Sequence, residues 1–310
     1  MSPHSAAMPL YFHPLYTDGI SPEARFPRER YRRIAARLDK SSAPISLRES
    51  PLATDGEIAS AHDPEYVARF LSGEMSESER RRIGLRPWTD LIIPRTRRLV
   101  GGAIAALREV LGGGGIAANM AGGTHHAHYG WGAGYCVFND LAICARLAVK
   151  RHGVKRVAII DLDVHQGDGT ATILRRDSEV FTLSVHCAQN FPMTKSVSDL
   201  DVALPCDTGD EEYLNSVTSA LDMVWRTEPE LVLFQAGVDP LKEDRLGRLA
   251  ITHQGLRERN RLVFDAVKQR ELPCVVFMGG GYCKPIEPTI DAFVDLFEQA
   301  AQAHRQMIAG

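Results

Sequence analysis

Strands alternating with helices predict an α/β protein built on a parallel sheet with helices on both faces. Apolar runs at 116–120, 157–160, 180–185, 231–236 and 274–278 have the length and composition of strands buried on both sides. Helical patterns at about 139–151, 210–226, 254–270 and 287–303 lie between or after them. Neither an internal repeat nor a low-complexity linker splits the 310 residues, so one domain over 1–310 is the simpler organisation.

Taken in order, residues 1–20 read as an irregular entry segment rich in Pro and His. Between Pro27 and Asp39 the spacing of Tyr31, Ile34, Ala35 and Leu38 predicts an amphipathic helix with arginines on its other face. Residues 41–60, rich in Ser, Pro and Asp, read as loop. Asp63-Pro64 supplies an N-cap and an N1 proline for a helix through Leu71, and His62 before it is expected to be a structural turn residue. Ser76 to Glu79 followed by Arg80-Arg81-Arg82 matches a helix macrodipole, and the arginine run is expected to be a solvated face. A long helix follows from about Pro94 to Leu111, stopped by Gly112 to Gly115, which lack the spacing of a phosphate loop.

A net charge of −3 gives no electrostatic reason to expect nucleic acid or an anionic membrane as partner. The N-terminus has no signal-peptide pattern, and no apolar run approaches the roughly 20 residues of a membrane span. Six scattered cysteines without a C-x-x-C pair are expected to be reduced thiols, in keeping with a cytoplasmic protein. Cys136, Cys187 and Cys283 lie close to polar clusters at the strand ends.

In open parallel sheets, sites form outside the carboxyl ends of the strands. After 157–160 come Asp161, Asp163 and His165 at alternating positions, which an extended backbone aims at one volume, and then Asp168 between glycines. After 116–120, 180–183, 231–236 and 274–278 come, in turn, Gly122-Gly123-Thr124-His125-His126, Ser184-Val185-His186 with Phe191 beyond, Gly237-Val238-Asp239 and Gly279-Gly280-Gly281-Tyr282. One such ending is ordinary turn chemistry; five at one edge indicate a site. Converging carboxylates and an imidazole are costly to bury without a cation. Asp163, His165 and Asp239 make a three-ligand set that leaves positions open for water and substrate, suited to Zn²⁺ but also to Fe²⁺ or Co²⁺. His125 and His126 are candidate bases, with Asp161 and Asp168 as spare carboxylates to orient them. Tyr282 after three glycines is a hydroxyl donor suited to polarising a carbonyl.

The motifs GGTHHA (122–127), GYCVFNDLAI (134–143), DLDVHQGDGT (161–170), LSVH (183–186), GVD (237–239) and GGGY (279–282) closely resemble the histone deacetylase superfamily and its arginase/deacetylase fold. RIGLRPW (82–88) and the stretch Leu99 to Ala127 look most like the class IV branch. The resemblance implies that Asp163, His165 and Asp239 ligate zinc. It implies that His126, paired with Asp168, is the general base, and His125, paired with Asp161, its electrostatic partner. By the same resemblance Tyr282 steadies the oxyanion, Gly134, Tyr135 and Phe191 line an acyl-lysine channel, and Leu246 stands at its rim. A structural potassium ion at Asp161, Asp163, His165, Ser184 and Val185 is implied too. The sequence departs from the family pattern at Tyr135, where Phe is usual, at Gln166, where His is common, and at Arg245, where class IV members tend to carry Pro. The first touches substrate fit, the other two loop shape.

The expected reaction is metal-dependent hydrolysis of an N-acyl amide, most simply an acetylated lysine, with acetylpolyamines or other small acyl-amides as alternative substrates. A non-catalytic acyl-lysine-binding protein is a rival, but needs no base or tyrosine. An arginase-like binuclear manganese enzyme is another, and Gln166 and Gly167 occupy the region of its extra carboxylate ligand.

Overall fold

The computed structural model describes residues 7–309. Its eight strands form one sheet in which every neighbouring pair is parallel. They are β1 (Met8–Phe12), β2 (Ile45–Glu49), β3 (Ile116–Asn119), β4 (Val157–Asp161), β5 (Val180–Cys187), β6 (Leu200–Leu204), β7 (Leu231–Gln235) and β8 (Cys274–Phe277). Their lateral order is β2-β1-β3-β8-β7-β4-β5-β6. The five strands expected from apolar runs, β3, β8, β7, β4 and β5, are therefore the five contiguous central ones. Their carboxyl ends share one edge.

Three strands were not expected from the sequence. The entry segment contains β1 as well as the short helix α1 (Leu15–Asp18), and so is not irregular over its described part; residues 1–6 lie outside the described residues. The stretch 41–60 holds β2 and the helical turn α3 (Asp55–Ile58) instead of being loop throughout. β2 and β6 are the sheet's two edges, half-exposed, with charged residues among the apolar ones, and β1 carries Pro9. A search for continuous apolar runs detects only strands covered on both faces.

The helices follow expectation closely. α2 (Glu29–Leu38) buries Tyr31, Ile34 and Leu38. α4 (Pro64–Leu71) starts on the Asp63 carboxylate, which accepts from the Glu65 N–H, and α5 (Glu77–Ile83) starts on a capping box between Ser76 and Glu79. α6 (Ile92–Gly113) keeps Gly112 and Gly113 in its last turn and ends at Gly114 with φ +73°. α7 (Asp140–His152), α8 (Asp168–Leu174), α9 (Asp210–Trp225), α10 (His253–Gln269) and α11 (Glu287–Ala309) complete the set. α6, α7 and α8 pack as one group against the sheet, and α2, α11, α10 and α9 as the other. No described helix is long and apolar enough to cross a membrane. α8, reading DGTATIL, went unnoticed in the sequence because Gly and Thr are poor helix formers.

His62 has a structural role at the bend before α4, as expected, and is also a fully buried hub. Its Nδ1 donates to the carbonyls of His128 (3.0 Å) and Tyr129 (3.2 Å), and its Nε2 accepts from the Asn139 N–H (2.8 Å). The ring thus clamps the loop between β3 and α7. Burial pushes its pKa down from 6.5 to about 4, so the unfolded chain takes up the proton more readily than the folded one. The stability this creates is complete above about pH 6.5 and lost as pH falls toward 4. We expect the urea midpoint to drop across that window. His62→Phe should lose part of the pH slope and about 1–3 kcal/mol at pH 7, the cost of orphaning buried backbone groups, measured by denaturation at several pH values.

Candidate active site

The carboxyl ends of β3, β8, β7, β4 and β5 open into a cavity of about 1000 Å³. Asp163 and His165 follow β4, and Asp239 follows β7. Their ligand atoms lie within 4.8 Å of one another, all three residues buried. His165 Nδ1 is 3.0 Å from Asp163 Oδ1 and 3.1 Å from Asp239 Oδ2. The remaining carboxylate positions are held by backbone: Gly280 N–H donates to Asp163 Oδ2 (2.8 Å) and Val164 N–H to Asp239 Oδ1 (3.0 Å). Burial opposes ionisation of Asp163, yet His125 and His165 keep it well below the usual carboxylate range. Burial and the Asp163 charge push Asp239 up, to about 7. Against the cost of burial, the two carboxylates raise His165 to about 10. Such a pocket holds a positive charge, a proton or a cation, and an oxygen-rich set with one imidazole fits a divalent metal of the zinc type.

The turn after β3 brings both adjacent histidines to this cavity, their rings 4.2 Å apart. His125 Nδ1 meets Asp161 Oδ2 and His126 Nδ1 meets Asp168 Oδ1, each at 2.7 Å. Their environments pull them apart. His125 is buried, but the charges of Asp161 and Asp163 raise it to about 9. His126 is lowered to about 4 by burial and by the neighbouring His125. These shifts favour a charged His125 and a neutral His126 at neutral pH, the second with Nδ1–H toward Asp168 and a lone pair on Nε2.

Backbone grips from distant residues hold the turn in place. Asp140 accepts from the Gly123 N–H (3.1 Å) and the Thr124 N–H (2.8 Å), and Asn139 Nδ2 donates to the Ala127 carbonyl (3.1 Å). Asp140 and Asn139 sit within the 134–143 motif but were not singled out from the sequence. Arg30 on α2 was not either: its guanidinium donates to the Gly279 and Gly281 carbonyls, both at 3.1 Å, and fixes the loop carrying Tyr282. No local pattern marks it. Asp244 accepts from the Tyr282 N–H at 2.6 Å. His128, two residues past the histidine pair, donates from Nε2 to Asp168 Oδ2 (3.1 Å), so Asp168 serves two imidazoles. It is held well below the carboxylate range because these hydrogen bonds outweigh burial.

Tyr282, Tyr135, Gly134, Phe191 and Leu246 all line the cavity. The Phe191 ring stands edge-on to His126, centroids 4.8 Å apart, and Tyr135 lies 5.9 Å from Tyr282. Gly134 has φ +53°, and a Cβ there would stand 2.6 Å from the His126 ring. Tyr135 takes φ +67°, a strained value for a side-chain-bearing residue, and its N–H donates to the Ile83 carbonyl at 2.7 Å. Of the residues expected around potassium, Asp161 and Ser184 are register partners across β4 and β5, with Val185 adjoining. Gln166 acts on loop shape as expected, bonding the Ser196 carbonyl and Asp201, each at 2.8 Å. Of the three cysteines near polar clusters, Cys136 lines the cavity, its thiol pushed up by burial. Arg81 and Arg82 are exposed, as expected of a solvated face, but that face is part of the cavity mouth.

Residues 24–294 match the histone deacetylase domain family. The chain is 41% identical over 285 residues to an uncharacterized protein of Picosynechococcus sp., covering 91% of this chain and 94% of that one. It is 30% identical over 309 residues to the histone deacetylase-like amidohydrolase of Pseudomonas aeruginosa, covering 92% and 79%. The acetylpolyamine aminohydrolase from Burkholderia pseudomallei superposes with a TM-score of 0.79 at 22% identity, over 94% of this chain and 98% of that one, and shares the fold.

Gly280 gives a direct test of the cation site, because a Cβ there would collide with Asp239 Oδ2 and crowd Asp163 Oδ2. Gly280→Ala is expected to weaken zinc binding by about 10–100-fold, the usual effect of disturbing ligand orientation. The measurement is a competitive chelator titration, with circular dichroism to confirm folding. Unaltered affinity would put the cation elsewhere.

Proposed function

The chain belongs to the histone deacetylase family, and from that premise we propose that it is a metal-dependent deacylase removing an acetyl or other acyl group from an acylated lysine. The observation that carries this is a division of labour: two adjacent histidines, each hydrogen-bonded to its own carboxylate and shifted in opposite directions from the ordinary imidazole pKa, beside a buried Asp-His-Asp set. A divalent cation on Asp163, His165 and Asp239, zinc on the donor chemistry with Fe²⁺ or Co²⁺ also suited, would supply Lewis acidity toward the scissile carbonyl and the attacking water.

The protein's own residues do the rest. His126, neutral with a free Nε2, takes the proton of the attacking water and passes it to the departing amine. Asp168 fixes its tautomer and stabilises the imidazolium that forms. His125, positive between Asp161 and Asp163, adds charge where the oxyanion develops, and the Tyr282 hydroxyl donates to the same oxygen. Burial holds that hydroxyl well above its ordinary pKa, so it remains a donor at all working pH values. Tyr135 and Phe191 wall the aliphatic stem, Gly134 makes room for the His126 ring, and Leu246 meets the substrate at the rim. The products are a carboxylate and a free amine.

A potassium ion at Asp161, Asp163, His165, Ser184 and Val185 belongs to the same reading, supported by the β4–β5 register that sets Asp161 beside Ser184. A class IV-like placement rests on the 82–88 and 99–127 stretches. A cytoplasmic setting is supported by six unbridged cysteines. Acetylpolyamines are the second reading, because a protein of similar fold is an acetylpolyamine aminohydrolase.

Tyr282→Phe should lower kcat on an acetyl-lysine peptide by about 10²–10³, the loss of one oxyanion donor, with KM little changed. Activity should disappear with a chelator and return with zinc. A Tyr282→Phe enzyme as fast as the unmodified one would refute the mechanism.

A further inference from the structure

Positive charge predominates at the cavity mouth. Arg25, Arg81, Arg82, Arg86 and Arg248 all line it and are exposed. Glu23 is the one exposed carboxylate among the lining residues. Glu77 lies nearby, but Arg81 (3.1 Å) and Arg86 (3.5 Å) already share it. Among the described residues Arg25, Arg82 and Arg248 have no carboxylate partner, and the Arg82 guanidinium rests on the Trp131 ring at 5.1 Å. The whole chain carries −3, so this excess is segregated and does not come from a basic protein.

The arginines come from three separate segments: the approach to α2, the end of α5 with the turn after it, and the loop before α10. Charge supplied from three segments offers several separate contacts to a body carrying more than one carboxylate, where a small anion would engage one guanidinium. Phe191 (43% exposed), Met193 (84%) and Leu246 (43%) present apolar surface on the same rim. Apolar ground among unpaired guanidinium groups suits a polypeptide carrying carboxylates. It is unsuited to an acylated polyamine, whose body bears ammonium groups.

We propose that the mouth selects acyl-lysines set in acidic stretches of polypeptide, with Arg25, Arg82 and Arg248 meeting carboxylates that flank the acylated residue. This rests on the deacylase reading above. The catalytic groups lie at the channel floor and engage only the acyl-lysine itself, so the choice among flanking residues belongs to the rim.

The test compares three acetyl-lysine peptides of equal length, flanked by Asp/Glu, by Ser/Gly or by Lys/Arg, together with N-acetylputrescine, on the zinc-loaded enzyme. At low ionic strength kcat/KM should fall from acidic to neutral to basic by about tenfold or more overall, chiefly through KM, with the acetylpolyamine poorest. Near 0.5 M salt, where screening acts within a few ångströms, the peptide ratios should contract toward one. Arg25→Glu/Arg82→Glu/Arg248→Glu should invert the order. That readout is a ratio within one preparation, so partial misfolding cancels, and the salt series on the unmodified enzyme stands without the variant. Equal turnover of the three peptides, salt-insensitive ratios, or preference for the basic peptide or the polyamine would overturn the inference and leave the deacylase standing. Turnover of none of them would remove both.

Discussion

Four carboxylates, Asp161, Asp163, Asp168 and Asp239, are buried together at one edge of a sheet, and the surrounding structure exists to make that arrangement tolerable. Buried negative charge is sustained only by hydrogen bonds and by positive charge close at hand. Each of the four receives both an imidazole and a backbone N–H, or two imidazoles. His165 lies between Asp163 and Asp239, His125 on Asp161, and His126 and His128 on Asp168. The backbone of Asp163, Val164 and Gly280 supplies donors to the first three. The same balance sets the two adjacent imidazoles apart, shifting His125 up and His126 down from the ordinary pKa.

Close approach is the second requirement. Gly237 and Gly280 stand where a Cβ would meet Asp163 Oδ2 and Asp239 Oδ2, and Gly134 stands against the His126 ring. The glycines of these motifs therefore act as absent atoms. Arg259, fully buried, donates to the Gly237 carbonyl as Arg30 does to Gly279 and Gly281, so strand-end loops without regular structure are held by long side chains from α10 and α2. Loops held at several points by these guanidinium groups keep the site's donors aimed without rearrangement, which is the physical content of preorganisation.

Depth separates two tasks. At the floor lie the buried histidines and carboxylates; at the mouth lie exposed arginines. The two layers meet at Tyr135, whose ring lies 5.9 Å from that of Tyr282. Tyr135 is tied to the end of α5 through the Ile83 carbonyl, so the channel wall and the basic rim are parts of one local structure.

The central strands and the groups at their ends were legible in the sequence because both are local properties. A strand covered on both faces must be a continuous apolar run, and the residues after it must occupy the site edge. That is why Asp163, His165, Asp239, the histidine pair and Tyr282 could be read from four of the five runs and the few residues just beyond each. β1, β2 and β6 could not, since a half-exposed edge or a proline-bearing segment leaves no such run. Tertiary structure alone decided which carboxylate serves which histidine, that His128 shares Asp168, and that Arg30 grips a loop about 250 residues away. It also turned a run of arginines that reads as solvated surface into the border of the cavity. These are relations between segments brought together by lateral strand order and helix packing, and no residue's neighbours in the chain encode them.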